Sequence, residues 1–246
     1  MSPKAHTSLL LSATLSFAII FSSYCQENDP SGAWQHIERN PQGNITHTLL
    51  LSGGYFSHTE YQSETGAFIS TRGGSWQLNE GVMSLEYEFD TRETSSVGRT
   101  QKYKVGFSGE RLLFEASGDF PKEWSHIDSD PEGPLYGAWL FSGRQSNGEI
   151  SRRNTDQPRK TMKLLTGNRF QWIAYNTETK EFFGTGGGSY TAVDGVYTER
   201  IEFFSRDDKR VGAELSFEYH VDGDEWHHRG KSSAGEPMYE IWSRRE

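Results

Sequence analysis

The chain has 246 residues, a formal net charge of −9 and a pI near 5.4. That balance disfavours a nucleic-acid partner, which requires a basic surface, and attachment to anionic lipid. With Cys25 as its single cysteine, the chain cannot rest on internal disulfides, and its stability has to come from burial.

The N-terminus reads as a secretory leader. Lys4 precedes the apolar run Leu9 to Phe21 and then Ser22-Ser23-Tyr24-Cys25-Gln26, the order of a basic region, an apolar region and a cleavage site. The run is short for a permanent membrane span, so a signal peptide over 1–25, cleavage near Cys25 and a secreted or periplasmic mature protein are expected. Lipid anchoring is the lesser alternative, because Tyr24 and Ser22 stand where a small and an aliphatic residue are needed.

From there the chain alternates short extended runs with Gly, Asn and Asp, an all-β pattern. Strands are predicted over Phe56 to Tyr61, Val82 to Phe89, Thr100 to Phe107 and Leu112 to Glu115. They are predicted again over Phe170 to Tyr175, Val196 to Phe204, Ala213 to Tyr219 and Trp226 to Arg229. The two sets are copies: residues 48–105 overlay residues 162–219 without a gap, Phe56 on Phe170, at a constant offset of 114 residues. Hairpin turns are expected at Asn79-Glu80-Gly81 and Val193-Asp194-Gly195. Gly73-Gly74 and Gly187-Gly188 fall inside strands, where glycine marks a bulge or a sharp bend.

Gly32-Ala33-Trp34 opens the first copy and Gly137-Ala138-Trp139 the second, while Trp124-Ser125 and Trp242-Ser243 close them. Slips in register place insertions in the second copy around 143–160 and 231–237, which loops absorb cheaply. Two tandem antiparallel up-and-down barrels of about eight strands follow, over 31–127 and 135–246. Asp128 to Pro134 is read as a linker between independent units. A single large barrel or a sandwich is the alternative.

The opening Gly-x-Trp, the central Gly-Gly-Ser-Trp76 and Gly-Gly-Ser-Tyr190 and the closing Trp-Ser resemble those of lipocalin-like (calycin) domains, above all uncharacterised ones of secreted bacterial proteins. The resemblance implies a barrel whose first tryptophan plugs the closed end, with a usual role in holding small apolar or amphiphilic molecules. Some calycin relatives are enzymes, so the fold leaves function open.

The copies differ where a site is expected. Tyr197, Glu199 and Ile201 share one face of a strand, and the first copy has Met83, Leu85 and Tyr87 there. An inward Glu199 needs a partner, from Tyr190, Tyr197 or a neighbouring histidine or arginine; the competing reading turns Glu199 to solvent. Phe170, Trp172, Tyr190, Tyr197, Glu199 and Tyr219 are the candidate ligand-binding residues, although aromatics also simply fill small barrels. The Asp222 to His228 stretch reads as a hairpin turn with surface histidines. Arg152-Arg153 with Arg159-Lys160 reads as a solvated loop.

No nucleophile, phosphate-loop or metalloprotease motif occurs, and Gly184 to Gly188 has no following helix to hold phosphate. No cofactor and no metal are expected, no catalytic residue is assigned, and neither nucleic acid nor stable membrane insertion is anticipated. The expected function is a secreted small-molecule binding protein with its pocket chiefly in the second barrel, the first serving as scaffold or as a more apolar pocket. The alternatives are a calycin-type isomerase, cyclase or lyase using carboxylate and tyrosine groups, or a non-catalytic interaction module.

Overall fold

The computed structural model describes residues 29–115, 120–128, 133–146, 148–231 and 235–246; the expected leader lies outside them. The chain is all-β and forms two adjacent eight-stranded antiparallel barrels. The first contains β1 (Gly32–Glu38), β2 (Ile45–Ser52), β3 (Tyr55–Gln62), β4 (Phe68–Asn79), β5 (Val82–Asp90), β6 (Thr100–Ser108), β7 (Arg111–Phe114) and β8 (Glu123–His126). Consecutive strands pair in order, and Trp34 opposite His126 closes the ring.

The second barrel contains β9 (Gly137–Ser146), β11 (Arg159–Leu165), β12 (Arg169–Asn176), β13 (Phe182–Val193), β14 (Val196–Phe204), β15 (Glu214–Asp222), β16 (Glu225–Lys231) and β17 (Pro237–Arg244). It closes by pairing β17 with β9. The added strand β10 (Glu149–Arg152) pairs with β9 within the first inserted segment. It carries Arg152, which donates two hydrogen bonds to Glu225, while Arg159 opens β11 with its guanidinium 3.4 Å over the Phe183 ring. The basic stretch read as a solvated loop is a loop over 153–158, with Arg152, Arg159 and Lys160 on the ends of the flanking strands. No helix among the described residues is long and apolar enough to cross a membrane.

The repeat survives in detail. Register shifts fall between Glu60 and Tyr61 and between Gly73 and Gly74, and 114 residues later between Ala174 and Tyr175 and between Gly187 and Gly188. At the second bulge a Cβ on Gly74 would meet Glu86 O at 1.9 Å, and one on Gly188 would meet Arg200 O at 2.1 Å. Only glycine permits strands to approach so closely. Glu80 and Gly81, like Asp194 and Gly195, have positive φ, the geometry of a tight hairpin whose twist matches the strands. Trp34 and Trp139 each donate Nε1–H to the carbonyl four residues earlier, of Pro30 and Leu135. These adjacent barrels fit a tandem calycin-like arrangement.

The barrels are not independent. A shared apolar layer contains Leu50 and Phe89 from one and Leu164, Ile173 and Tyr175 from the other. Its contacts are reciprocal: Tyr61 stacks on Phe203, and their counterparts Tyr175 and Phe89 pack with ring centres 4.8 Å apart. The Tyr61 hydroxyl donates to Glu202, and the Tyr175 hydroxyl to Glu88, the equivalent carboxylate. Phe68 stacks on its own counterpart, Phe182. This is the self-complementary pattern of a two-fold interface, here within one chain. Asp128, read as linker, ties the units together, accepting hydrogen bonds from Ala33 N of the first and from Thr166 Oγ1 and Asn168 N of the second.

Candidate functional site

A cavity of about 370 Å³ opens inside the second barrel. Its walls are apolar, with Phe141, Trp172, Phe204, Leu215, Phe217 and Met238 among them, and Glu199, Lys163, His228 and Glu240 give it a polar floor. Alternation along β14 turns Tyr197, Glu199 and Ile201 inward, all three buried.

Glu199 meets Lys163, whose Nζ donates to its Oε1 at 2.7 Å. The lysine comes from β11, three strands away with β12 and β13 between, and reaches into the barrel from a position directly opposite Trp139. Three rings surround its ammonium, those of Tyr197, Trp226 and Trp242, with Nζ 4.9 to 5.2 Å from their centres. The negative faces of those rings favour the cation, so carboxylate and cage together compensate much of its desolvation. The direct partner of Glu199 is Lys163, which was not among the expected partners, while Tyr197, which was, stands beside the carboxylate and feels its charge. The sequence signal for it was present, because Lys163 stands over Leu49 in the repeat just as Glu199 stands over Leu85.

His228 completes the floor. Adjacent histidines point to opposite faces of β16, and it is His228 that turns inward with Trp226, at 1% exposure, so it is not a surface residue as the sequence suggested. His227 remains partly buried, stacked on His220, and shares a hydrogen bond with the Tyr239 hydroxyl. The hairpin at 222–225 forms as expected.

Neither ring nitrogen of His228 has a hydrogen-bond partner among the described residues, and Glu240 Oε2 lies 3.6 Å from Nδ1. Burial first, and then the Lys163 charge, lower the His228 pKa, so the imidazole is neutral near pH 7. The Tyr197 hydroxyl and Trp226 Nε1 are likewise buried without hydrogen-bond partners. Burial, reinforced by the Glu199 charge, raises the Tyr197 pKa well above the ordinary phenol value. Four unsatisfied polar atoms thus surround one ion pair, a concentration that calls for a ligand or ordered water.

Of the sequence candidates, Trp172 and Glu199 line the cavity and Tyr197 forms part of the cage beside it. Phe170 and Tyr190 belong to the packed core, with the Tyr190 hydroxyl donating to Thr166 O at 2.7 Å. Tyr219 is only partly buried and lines a small outer cleft with His220 and His227.

The first barrel has Leu49, Leu85 and Phe114 in place of Lys163, Glu199 and His228, and these pack into a solid apolar cluster. The first barrel was expected to serve as scaffold or as a more apolar pocket; its interior is apolar and packed, but its mouth holds charged groups, Glu38, Glu60, Arg72, Asp90, Arg92 and Glu93, around a cavity of about 640 Å³.

No family model and no curated protein matches the chain. A solved structure of a protein of unknown function from the DUF3598 family of Nostoc punctiforme is similar over 88% of this chain and 96% of its own, at 14% identity and a TM-score of 0.21. So loose an overlap carries no argument.

Proposed function

We propose that the second barrel binds a small amphiphilic molecule, the apolar body against the aromatic walls and the polar end at Lys163, Glu199 and His228. The observation that carries this reading is the cavity itself: it falls within the size range of small-molecule pockets and combines apolar walls with a few convergent polar groups, four of whose neighbouring donor and acceptor atoms are unsatisfied. The first barrel serves as a partial control, since there the equivalent positions Leu49, Leu85 and Phe114 join a packed apolar cluster and the cavity lies instead among charged groups at the mouth. A lipocalin-like carrier, exported after loss of its leader, accords with this reading.

The test is native mass spectrometry of the purified protein together with titration by a fluorescent amphiphile. One molecule bound per chain, displaced by a co-purified compound or by fatty-acid-like competitors, is the expected result. The absence of both a bound species and saturable dye binding would overturn it.

A second reading, an acid–base enzyme of the isomerase, cyclase or lyase type, draws on one observation. The floor gathers a carboxylate, an ammonium and a neutral imidazole around one cavity, a set able to move a proton at a bound substrate. Chemical change of the bound molecule during incubation, absent in Glu199→Gln, would separate it from simple carriage.

A further inference from the structure

The repeat exposes a second polar cluster, in the mouth of the first barrel. His47, His58 and Glu60 are replaced in the second copy by Thr161, Trp172 and Ala174, so nothing in the shared scaffold requires them. All three are buried. His47 stands directly across from Glu60 on the neighbouring strand, and His58 shares Glu60's face two residues earlier.

Their ligating atoms form a near-regular triangle. His47 Nδ1 lies 3.2 Å from His58 Nε2, and Glu60 Oε1 lies 3.9 Å from each. Ligand atoms about 2.0–2.1 Å from a tetrahedral zinc ion are separated by about 3.3 Å, so the two histidines already stand at that spacing and the carboxylate needs only a small inward turn. His47 Nε2 faces the Glu38 carboxylate at 3.2 Å, the outer-shell partner that fixes a ligating imidazole and raises its basicity. His58 is held by Phe120 stacked on its ring and by Trp124 against its edge. The surrounding mouth sets four carboxylates, Glu38, Glu60, Asp90 and Glu93, against two guanidiniums, Arg72 and Arg92, a formal balance of −2 that favours a dication.

We propose that His47, His58 and Glu60 form a site for a borderline divalent metal ion of the zinc type, with its open coordination positions facing the mouth of the first barrel. Two histidines and one carboxylate are a ligand set that zinc accepts, and the cavity beside them leaves room for water or a small ligand at the ion.

Two arginines compete with the ion, and this makes the proposal sharp. Arg92 pairs with Glu60 Oε2, leaving Oε1 to the metal side. Arg72 Nε–H donates to His58 Nδ1 at 3.2 Å. In the metal-free protein this fixes the proton of His58 on Nε2, which donates to His47 Nδ1, while His47 Nε2–H donates to Glu38. Loading requires His58 to carry its proton on Nδ1 instead, and Arg72 to turn away from it. Arg72 therefore acts as a gate that weakens the site, whereas a glutamine there accepts the Nδ1–H bond.

The experiment is calorimetric titration of the full mature chain with Zn²⁺, repeated with Co²⁺ followed by visible absorption. One ion per chain is expected, with a four- or five-coordinate cobalt spectrum. Binding should fall at least tenfold in His47→Ala and in Glu60→Gln, stay unchanged in His220→Ala, which disrupts the other histidine pair, and tighten in Arg72→Gln. Circular dichroism checks that each variant folds, and the wild-type cobalt spectrum needs no variant. Absence of stoichiometric binding, a six-coordinate spectrum, or binding that is lost in His220→Ala and kept in His47→Ala would overturn the proposal.

Discussion

Lys163 Nζ and Glu199 Oε1 lie 2.7 Å apart inside the second barrel, at the two positions where the first barrel packs Leu49 against its core beside Leu85. One fold thus presents the same site in an ionic and an apolar version. The apolar version shows that the scaffold has no structural need of the charges.

Removing one member of the pair leaves a buried charge alone, so Lys163→Leu or Glu199→Leu should each cost about 3–5 kcal/mol of stability. The double variant Lys163→Leu with Glu199→Leu restores the first barrel's residues and should be neutral or stabilised by about 1–4 kcal/mol, while losing affinity for a polar-headed ligand. Chemical denaturation of the three variants checks this. A double variant as unstable as the sum of the singles would contradict it.

His228 makes stability depend on pH. Its folded pKa is lowered by burial and by Lys163, with Glu199 and Glu240 opposing, so the unfolded chain binds the proton more readily. Its contribution is therefore fully present above about pH 6.5 and is lost as the pH falls below that value. His228→Phe, which installs the residue of Phe114, should flatten this part of the profile. Unfolding free energies of both proteins between pH 5 and 8 measure the difference, and the opposite sign would mean a charged His228 paired with Glu240.

Ala213 lines the cavity, and Ala213→Phe should fill it. Overpacking a full core costs about 1–3 kcal/mol, but here existing space accepts the ring, so stability should change by less than about 1 kcal/mol. Dye affinity should drop at least tenfold, about 1.4 kcal/mol of binding energy. Equal dye binding by both proteins would place the ligand elsewhere.

The reciprocal interface is not equally strong at its two ends. Glu88 holds Tyr175 and both terminal nitrogens of the largely buried Arg245, whereas Glu202 holds Tyr61 and the more exposed Arg169. Glu88→Gln should cost up to about 3–5 kcal/mol and Glu202→Gln about 1 kcal/mol. Thermal unfolding of the two variants ranks them.

The barrel order and hairpins were legible because turn glycines and strand alternation recur at one offset, which tests each assignment twice. Glu199 was legible for the same reason. Lys163 was missed because no strand was predicted around it, and His228 because a histidine beside His227 reads as a surface residue until strand register fixes its face. The contact between barrels left a fainter trace in Leu49-Leu50-Leu51, an unbroken apolar run that signals burial on both faces of a strand. Tyr61, Glu202 and Arg169 gave none, since their meeting depends on how the copies dock. The cluster of His47, His58 and Glu60 was hidden for a related reason: its members lie on two paired strands, and no local spacing announces them.

The two-fold interface inside one polypeptide has a consequence for how the pockets can specialise. In a true homodimer every substitution appears on both sides at once, so a lysine suited to one cavity is forced upon the other. Joining the copies in one chain lifts that constraint while fixing the ratio of the two chambers at one to one, whatever the level of expression. Every copy of the chain therefore carries both chambers, each free to take its own set of residues.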